Sequence, residues 1–290
     1  MDPNLKNRLT FGPILLGGLL LILWLDWWLE GQTGIKGIGL LTILLAVMPL
    51  ANIELARLFA AERAEPFKII SSLGGGLIVL HGFFTQFGWF QPISASTFAF
   101  LIAGVTLAAA IRKVAAKQTD EAILAMAGTL LATMYLGGLA WFLIAMRVKV
   151  GATEPPFKGT TFHIVMVLLC VKFTDIGAFT FGKLFGKHKL IPFLSPGKTW
   201  EGLAGGLLTA GLVGMACAPF LDLHVWWKGA IFGVVIGAVG QAGDLLESLM
   251  KRDADVKDSS QMLPGFGGVL DVIDSPLVAA PVAYLLFGLL

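Results

Sequence analysis

The sequence predicts an all-α integral membrane protein, a polytopic bundle of about nine transmembrane helices. Three observations predict it. The 290-residue chain is 56% apolar and only 14% charged, with mean hydropathy +0.82, whereas soluble domains average roughly 45–50% apolar and about 25% charged. Apolar runs of about 20 residues recur, the length a helix needs to cross a hydrocarbon core. The basic residues gather in alternate connecting segments, as positive-inside topology requires.

The runs cover roughly 12–29, 37–53, 69–88, 94–111, 121–146, 161–182, 202–221, 228–247 and 271–290. The second and third are the least sharply bounded, because Glu54, Arg57, His81 and several glycines blur their ends. Lys6 and Arg8 precede the first run, as in a signal peptide, but "WLDWWLEG" offers no small-residue cleavage site. The run therefore reads as a retained helix, with Trp24, Trp27 and Trp28 suited to an interfacial belt. Cys170 and Cys217 both fall inside apolar runs without a CxxC or secreted disulfide pattern. They read as small buried apolar side chains.

With nine spans and a cytoplasmic N-terminus, fifteen Lys and Arg fall in the inside segments and five in the outside ones, with Lys172 within a span. A miscounted span would change the parity, so the imbalance also supports nine. This orientation places the loops 183–200 and 248–270 on the cytoplasmic side, where nucleotide triphosphates are available. The expected location is the bacterial inner membrane with the site facing the cytoplasm.

The chain divides into an N-terminal scaffold, 1–160, with few polar groups in its spans, and a C-terminal region, 161–290, holding almost every intramembrane charge. Glycines at 202, 205, 206, 233, 237, 240 and 243 fit close helix packing in lipid.

Lys172 and Asp175 stand three apart in "LLCVKFTDIGAF" and share a helix face. A charge near the bilayer centre costs about 2.5–3.5 kcal/mol on insertion scales. The pair must face protein or a polar cavity, either as a structural ion pair or as part of a site. Next comes "GKLFGKHKLIPFLSPGKTWEG". Its "GKT" resembles the end of a P-loop, but that motif needs glycine where Pro192 stands, so a P-loop is rejected. What remains is Lys183, Lys187, Lys189, Lys198, Ser195, Thr199 and backbone amides where a helix starts near Trp200. Such an end favours phosphate, and a solvated basic loop accounts for the composition equally well.

In "VGQAGDLLESLMKRDADVKD", Asp244, Glu247, Ser248 and Lys251 form one polar stripe if helical, followed by Arg252. An amphipathic helix end explains Lys251 and Arg252 but not Asp244, which is flanked by apolar residues. "LPGFGGVLDVIDS" supplies Pro264, Gly265, Gly267 and Gly268 for a turn with positive φ and close backbone approach. Asp271 and Asp274 follow, and one of them could cap the last helix. Carboxylates without His or Cys partners suit a hard cation such as Mg²⁺. His81, His163, His188 and His224 are scattered, and no Ser-His-Asp or Cys-His arrangement is apparent. Lysines and Arg252 beside carboxylate-held Mg²⁺ make a site for a polyphosphate.

"SLMKRDADVKDSSQMLPGFGGVLDVIDS" closely resembles the signature of the phosphatidate cytidylyltransferase (CDP-diacylglycerol synthase) family. That pattern runs S-x-x-K-R, four residues, K-D, then P-G-H-G-G, an apolar pair, and D-R-x-D. Ser248, Lys251, Arg252, Lys257, Asp258, Pro264, Gly265, Gly267, Gly268, Asp271 and Asp274 fall in place. "TDIGAFTFGKLFGKHKL" and "SPGKTWEG" look like the family's second block. The resemblance is specific over 172–275 and loose over the N-terminal half. Phe266 stands where the family usually has histidine, and Val272 where it has arginine. The departures point to a divergent branch or a changed lipid or nucleotide preference.

The resemblance implies cytidylyl transfer from CTP to phosphatidate, giving CDP-diacylglycerol and pyrophosphate. It implies catalytic roles for Asp244, Lys251, Arg252 and Asp271, with Mg²⁺ on Asp244 and Asp271 and room for a second cation. Ser195, Lys198, Glu201, Ser248, Lys257, Asp258 and Asp274 would border the substrates, and Lys172 and Asp175 would join the polar cavity. A homodimer is implied, with a polar funnel open to the lipid bilayer, and no nucleic acid partner. Two alternatives stay open: a CTP transferase for another lipid phosphate, and a secondary transporter, which also carries intramembrane Asp and Lys.

Overall fold

The computed structural model describes residues 3–89, 93–149, 160–220, 225–265 and 267–289. Within them, nine helical segments are long and apolar enough to cross a membrane: Thr10–Thr33, Ile38–Ala61, Lys68–Phe87, Ser94–Ala115, Ala122–Val148, Thr161–Phe185, Trp200–Phe220, Trp226–Asp253 and Leu270–Leu289. Each overlaps one of the nine apolar runs. Helix is the expected outcome, because hydrocarbon supplies no partner for backbone N–H and C=O groups. The chain is thus an all-α polytopic membrane protein, with one short hairpin among the described residues.

The helices are α1 (Pro3–Thr33), α2 (Ile38–Ala61), α3 (Lys68–Phe84), α4 (Ser94–Ala115), α5 (Ala122–Thr133), α6 (Leu139–Lys149), α7 (Thr160–Phe185), α8 (Trp200–Cys217), α9 (Trp226–Asp253) and α10 (Leu270–Leu289). A π-helical turn, Met134–Gly138, joins α5 to α6 within one span. The hairpin pairs β1 (Lys189–Ile191) with β2 (Ser195–Thr199), antiparallel, Lys189 opposite Thr199. Residues 90–92, 150–159, 221–224 and Phe266 lie outside the described residues, and with them Lys158 and His224.

Two compact units form. The first holds Met1–Val148 together with Asp253–Val272. The segment 253–272, which the sequence groups with the C-terminal region, therefore packs with the N-terminal helices. This unit is not purely apolar inside. Arg147 is fully buried and donates to Asp26 at 2.7 Å and to Glu30 at 2.6 Å, while Asp26 also accepts from the Gly39 amide at 2.7 Å. Arg147, counted by sequence as a loop charge, thus belongs to the interior. Asn52 ties α2 to α3, donating to Ser71, Ser72 and the Lys68 carbonyl at 2.8–2.9 Å. α3 meets the π-helical turn at Gly75 and Gly137, where a Cβ on Gly137 would run into the Gly75 backbone. The span expected to end near 53 continues to Ala61, with Glu54 fully buried inside it.

The second unit holds Lys149–Arg252 and Ile273–Leu290. Its helices approach through glycines, all those named next but Gly214 having been expected from the sequence. A Cβ on Gly202 or Gly206 of α8 would meet α7 carbonyls at 2.8 and 2.7 Å. Gly214 and Gly233 bring the α8 and α9 backbones together, Gly240 meets Val171 of α7 at 3.1 Å, and Gly243 meets Ser275 and Val278 of α10 at 3.0–3.2 Å. Absent side chains let four elements converge on one polar centre. Cys170 and Cys217 are free and buried.

Candidate active site

The polar centre of the second unit grows from α9. Gln241, Asp244, Glu247 and Lys251 follow at intervals of three or four residues, so the helix presents them as one stripe. Gln241 donates to Asp175 of α7 at 2.8 Å, and Asp175 lies 3.9 Å from Lys172. Lys198 of β2 forms an ion pair with Asp244. Lys251 donates to Glu247 at 2.9 Å, with Lys251 12% and Glu247 1% exposed. Asp274 joins from α10, 2% exposed, accepting from Ser275 at 3.3 Å.

Three of these carboxylates make a group. One oxygen from each of Asp244, Glu247 and Asp274 lies within 4.8 Å of the others. Two negative charges at that spacing repel by on the order of 3 kcal/mol at an effective dielectric of about 20. The group therefore calls for positive charge, and Lys198 and Lys251 supply part of it. Oδ2 of Asp274 is buried and takes no hydrogen bond among the described residues. Oxygens sharing one Mg²⁺ stand about 3.0 Å apart when adjacent and about 4.2 Å apart when opposite, so the three would draw together on one ion. The donor set, all oxygen, fits a hard cation.

The loop 183–200 folds differently from a phosphate cradle. "SPGKT" is a strand, which removes the P-loop resemblance structurally as well. Thr199 caps α8, accepting from the Gly202 amide at 3.1 Å. Glu201 accepts from the Lys187 and His188 amides at 3.1–3.3 Å and lies 2.6 Å from the His188 ring. It pins the hairpin's entry. Ser195 opens β2 half-buried. Lys189 donates to the Pro196 carbonyl at 2.7 Å. Arg252, exposed at the end of α9, donates to the Leu194 carbonyl of the hairpin at 3.4 Å.

In the first unit, Lys257 and Asp258 are exposed. Leu263 and Gly267 exchange two backbone hydrogen bonds at 2.8 and 3.0 Å, and Gly265 and Gly267 have φ of 83° and 91°. The glycines meet the expected need for positive φ. Asp271 accepts from the Gly268 amide and, at 3.1 Å, from Ser259. This is the back-reaching carboxylate of a helix start, the capping alternative considered for it. Val272 is half-buried in the same first turn.

Of the residues singled out by sequence, Asp244, Lys251, Lys198, Asp274, Asp175 and Lys172 thus meet in one polar centre. Ser248 is half-buried on α9 beside it. The ligand candidate missed was Glu247, although its i+3 spacing from Asp244 placed it on the stripe. Gln241 was missed because an amide carries no charge to attract notice. His81 accepts a hydrogen bond from Trp141, and His163 packs on Phe287.

Comparisons with known proteins follow the same line. The family model described as "Cytidylyltransferase family" matches residues 6–290. A phosphatidate cytidylyltransferase of Staphylococcus epidermidis is 46% identical over 125 residues, covering 43% of this chain and 48% of the relative. The Haemophilus influenzae protein of the same name is 43% identical over 134 residues, 44% of this chain and 46% of the relative. That of Mycobacterium leprae is 40% identical over 128 residues, 44% and 41%. The chain spans about half the length of the curated relatives it matches, 48% of the Staphylococcus epidermidis protein.

Proposed function

This chain belongs to the cytidylyltransferase family, and from that membership and the site geometry we propose that it transfers the cytidylyl group of CTP to phosphatidate. The products are CDP-diacylglycerol and pyrophosphate. The observation that carries the proposal is the group Asp244, Glu247 and Asp274 with Lys198 and Lys251 paired into it. Buried carboxylates bracketed by lysines suit a metal-assisted polyphosphate reaction.

A phosphate oxygen of phosphatidate attacks the α-phosphorus of CTP. The bond from that phosphorus to the oxygen bridging the β-phosphate breaks, and pyrophosphate leaves with the electron pair. Mg²⁺ held by Asp244, Glu247 and Asp274 would neutralise phosphate charge and stabilise the leaving oxygen. Asp271 is retained as a further proposed ligand on the strength of the resemblance. Lys198 and Lys251 each orient a carboxylate and present positive charge to phosphate. Arg252, positioned by the Leu194 carbonyl, and Lys257 are proposed to bind triphosphate or lipid phosphate. Lys172 and Asp175, linked through Gln241, extend the polar path into the membrane span, where a lipid headgroup can reach it.

The excess of basic residues in alternate loops supports a site facing the cytoplasm and an inner-membrane location. A homodimer is the proposed assembly. The test is incorporation of labelled CTP by purified protein offered a panel of lipid phosphates. Phosphatidate-dependent formation of labelled lipid supports the proposal. Labelling of a different lipid phosphate alone corrects the substrate. Solute flux across vesicles with no CTP consumed favours a transporter instead.

A further inference from the structure

Glu54 lies in the N-terminal half of the chain, well outside the signature stretch, yet its carboxylate meets four donors of that stretch. It stands on α2 with no exposure to solvent. Its Oε1 accepts from Ser260 Oγ at 2.5 Å and from the Val269 amide at 3.1 Å. Its Oε2 accepts from Ser259 Oγ at 3.2 Å and from the Leu270 amide at 2.8 Å. Two amides and the Ser260 hydroxyl donate to the carboxylate, and the Ser259 hydroxyl, whose one proton also faces Asp271, lies against its fourth acceptor site.

The donors come from both ends of one segment. Ser259 and Ser260 begin it, and Val269 and Leu270 end it at the start of α10. Glu54 therefore closes 259–270 on itself, with the Leu263–Gly267 turn between. It also places a negative charge at a helix N-terminus whose amides need acceptors. Gly268 completes the fit: a Cβ there would run into the Glu54 carboxylate, 2.8 Å from its carbon, and into the Ser259 hydroxyl. The second glycine of the signature's closing pair is thus explained by a residue from a distant helix. Ser259 carries a single hydroxyl proton and lies 3.2 Å from Glu54 Oε2 and 3.1 Å from Asp271 Oδ2, so it bridges the two carboxylates.

We propose that Glu54 is a positioning residue that holds the 259–270 loop closed and, through Ser259, fixes the carboxylate of Asp271. This rests on the proposed function, in which that loop and Asp271 serve cytidylyl transfer. Charge matters as much as shape. In Glu54→Gln the new NH₂ group would face one serine hydroxyl, which can turn to accept from it, and one backbone amide, Val269 or Leu270, which is left without an acceptor.

The test uses the full chain in nanodiscs with Glu54→Gln, Glu54→Asp and Ser259→Ala. Amide hydrogen exchange of 259–270 is followed beside kcat and KM for CTP. In Glu54→Gln, exchange at Val269 and Leu270 is expected to speed up while α3 stays protected. Turnover should fall about 10–100-fold, the range for residues that orient a site, with KM for CTP little changed. Glu54→Asp, which keeps the charge, should recover part of both. Ser259→Ala should lower kcat while leaving Val269 and Leu270 protected. Unchanged exchange and kcat in Glu54→Gln overturn the proposal. So does a lowered Tm with kcat per folded molecule intact in all three variants. If Glu54→Gln does not fold, Ser259→Ala with unaltered kcat overturns the link to Asp271. A wild-type protein that never consumes CTP defeats the proposed function instead, and the exchange measurement still decides whether Glu54 closes the loop.

Discussion

Lys198 of β2 and Asp244 of α9 form an ion pair that joins the hairpin to the polar stripe of the longest helix in the second unit. The side chains are 20% and 38% exposed, while the Lys198 ammonium nitrogen itself is buried. The pair's value lies in placing a cation against a carboxylate that belongs to a three-acid group. Lys198→Met should lower turnover of CTP per folded molecule about 100-fold, as loss of one preorganised charge does elsewhere. Steady-state kinetics beside a thermal melt check it. A variant with normal turnover would remove Lys198 from the chemistry.

The carboxylates make a separable prediction. Asp274→Asn and Glu247→Gln should weaken binding of Mn²⁺, used as a spectroscopic probe for Mg²⁺, by at least about tenfold, the lower end for disturbed metal sites. Asp271→Asn decides between two roles. Weakened Mn²⁺ binding makes it a ligand. Unchanged binding with faster exchange at Gly268 makes it a cap.

Arg147 tests the interior of the first unit. It is fully buried with Asp26, and truncation leaves that carboxylate without its partner. Arg147→Met should destabilise the protein by about 3–5 kcal/mol, the cost of breaking a buried pair by removing one member. Chemical denaturation measures it. Turnover per folded molecule should be unaffected, because none of these groups belongs to the proposed site.

Close packing of glycine carries its own expectation. Gly214→Ala would drive a Cβ into the Gly229 carbonyl. Overpacking of this kind costs about 1–3 kcal/mol. A lower Tm is expected, with loss of turnover following misplacement of the stripe on α9.

Much of this was legible in the sequence because lipid is a strict solvent. Twenty apolar residues must be helical, so the nine spans could be counted, and Asp244 and Lys251 could be aligned by the 3.6-residue period. Asp175 and Asp274 stood out because charge inside a span demands a partner. Glu54 was just as anomalous, but it fell near a span's end, where an acidic residue reads as a boundary. Only its four donors, more than 200 residues later in the chain, reveal the role. Arg147 misled for the same reason, being counted as a loop charge when Asp26 and Glu30 hold it inside. The hairpin at 189–199 was hidden because prolines and glycines in a basic stretch read as irregular loop.

The most direct measurement is Mg²⁺-dependent incorporation of labelled CTP into phosphatidate by wild-type protein and by Asp244→Asn in nanodiscs. The account predicts labelled CDP-diacylglycerol and one pyrophosphate per turnover from the wild type, and neither above background from Asp244→Asn. Full activity in Asp244→Asn, or a wild type that leaves CTP intact, would contradict it.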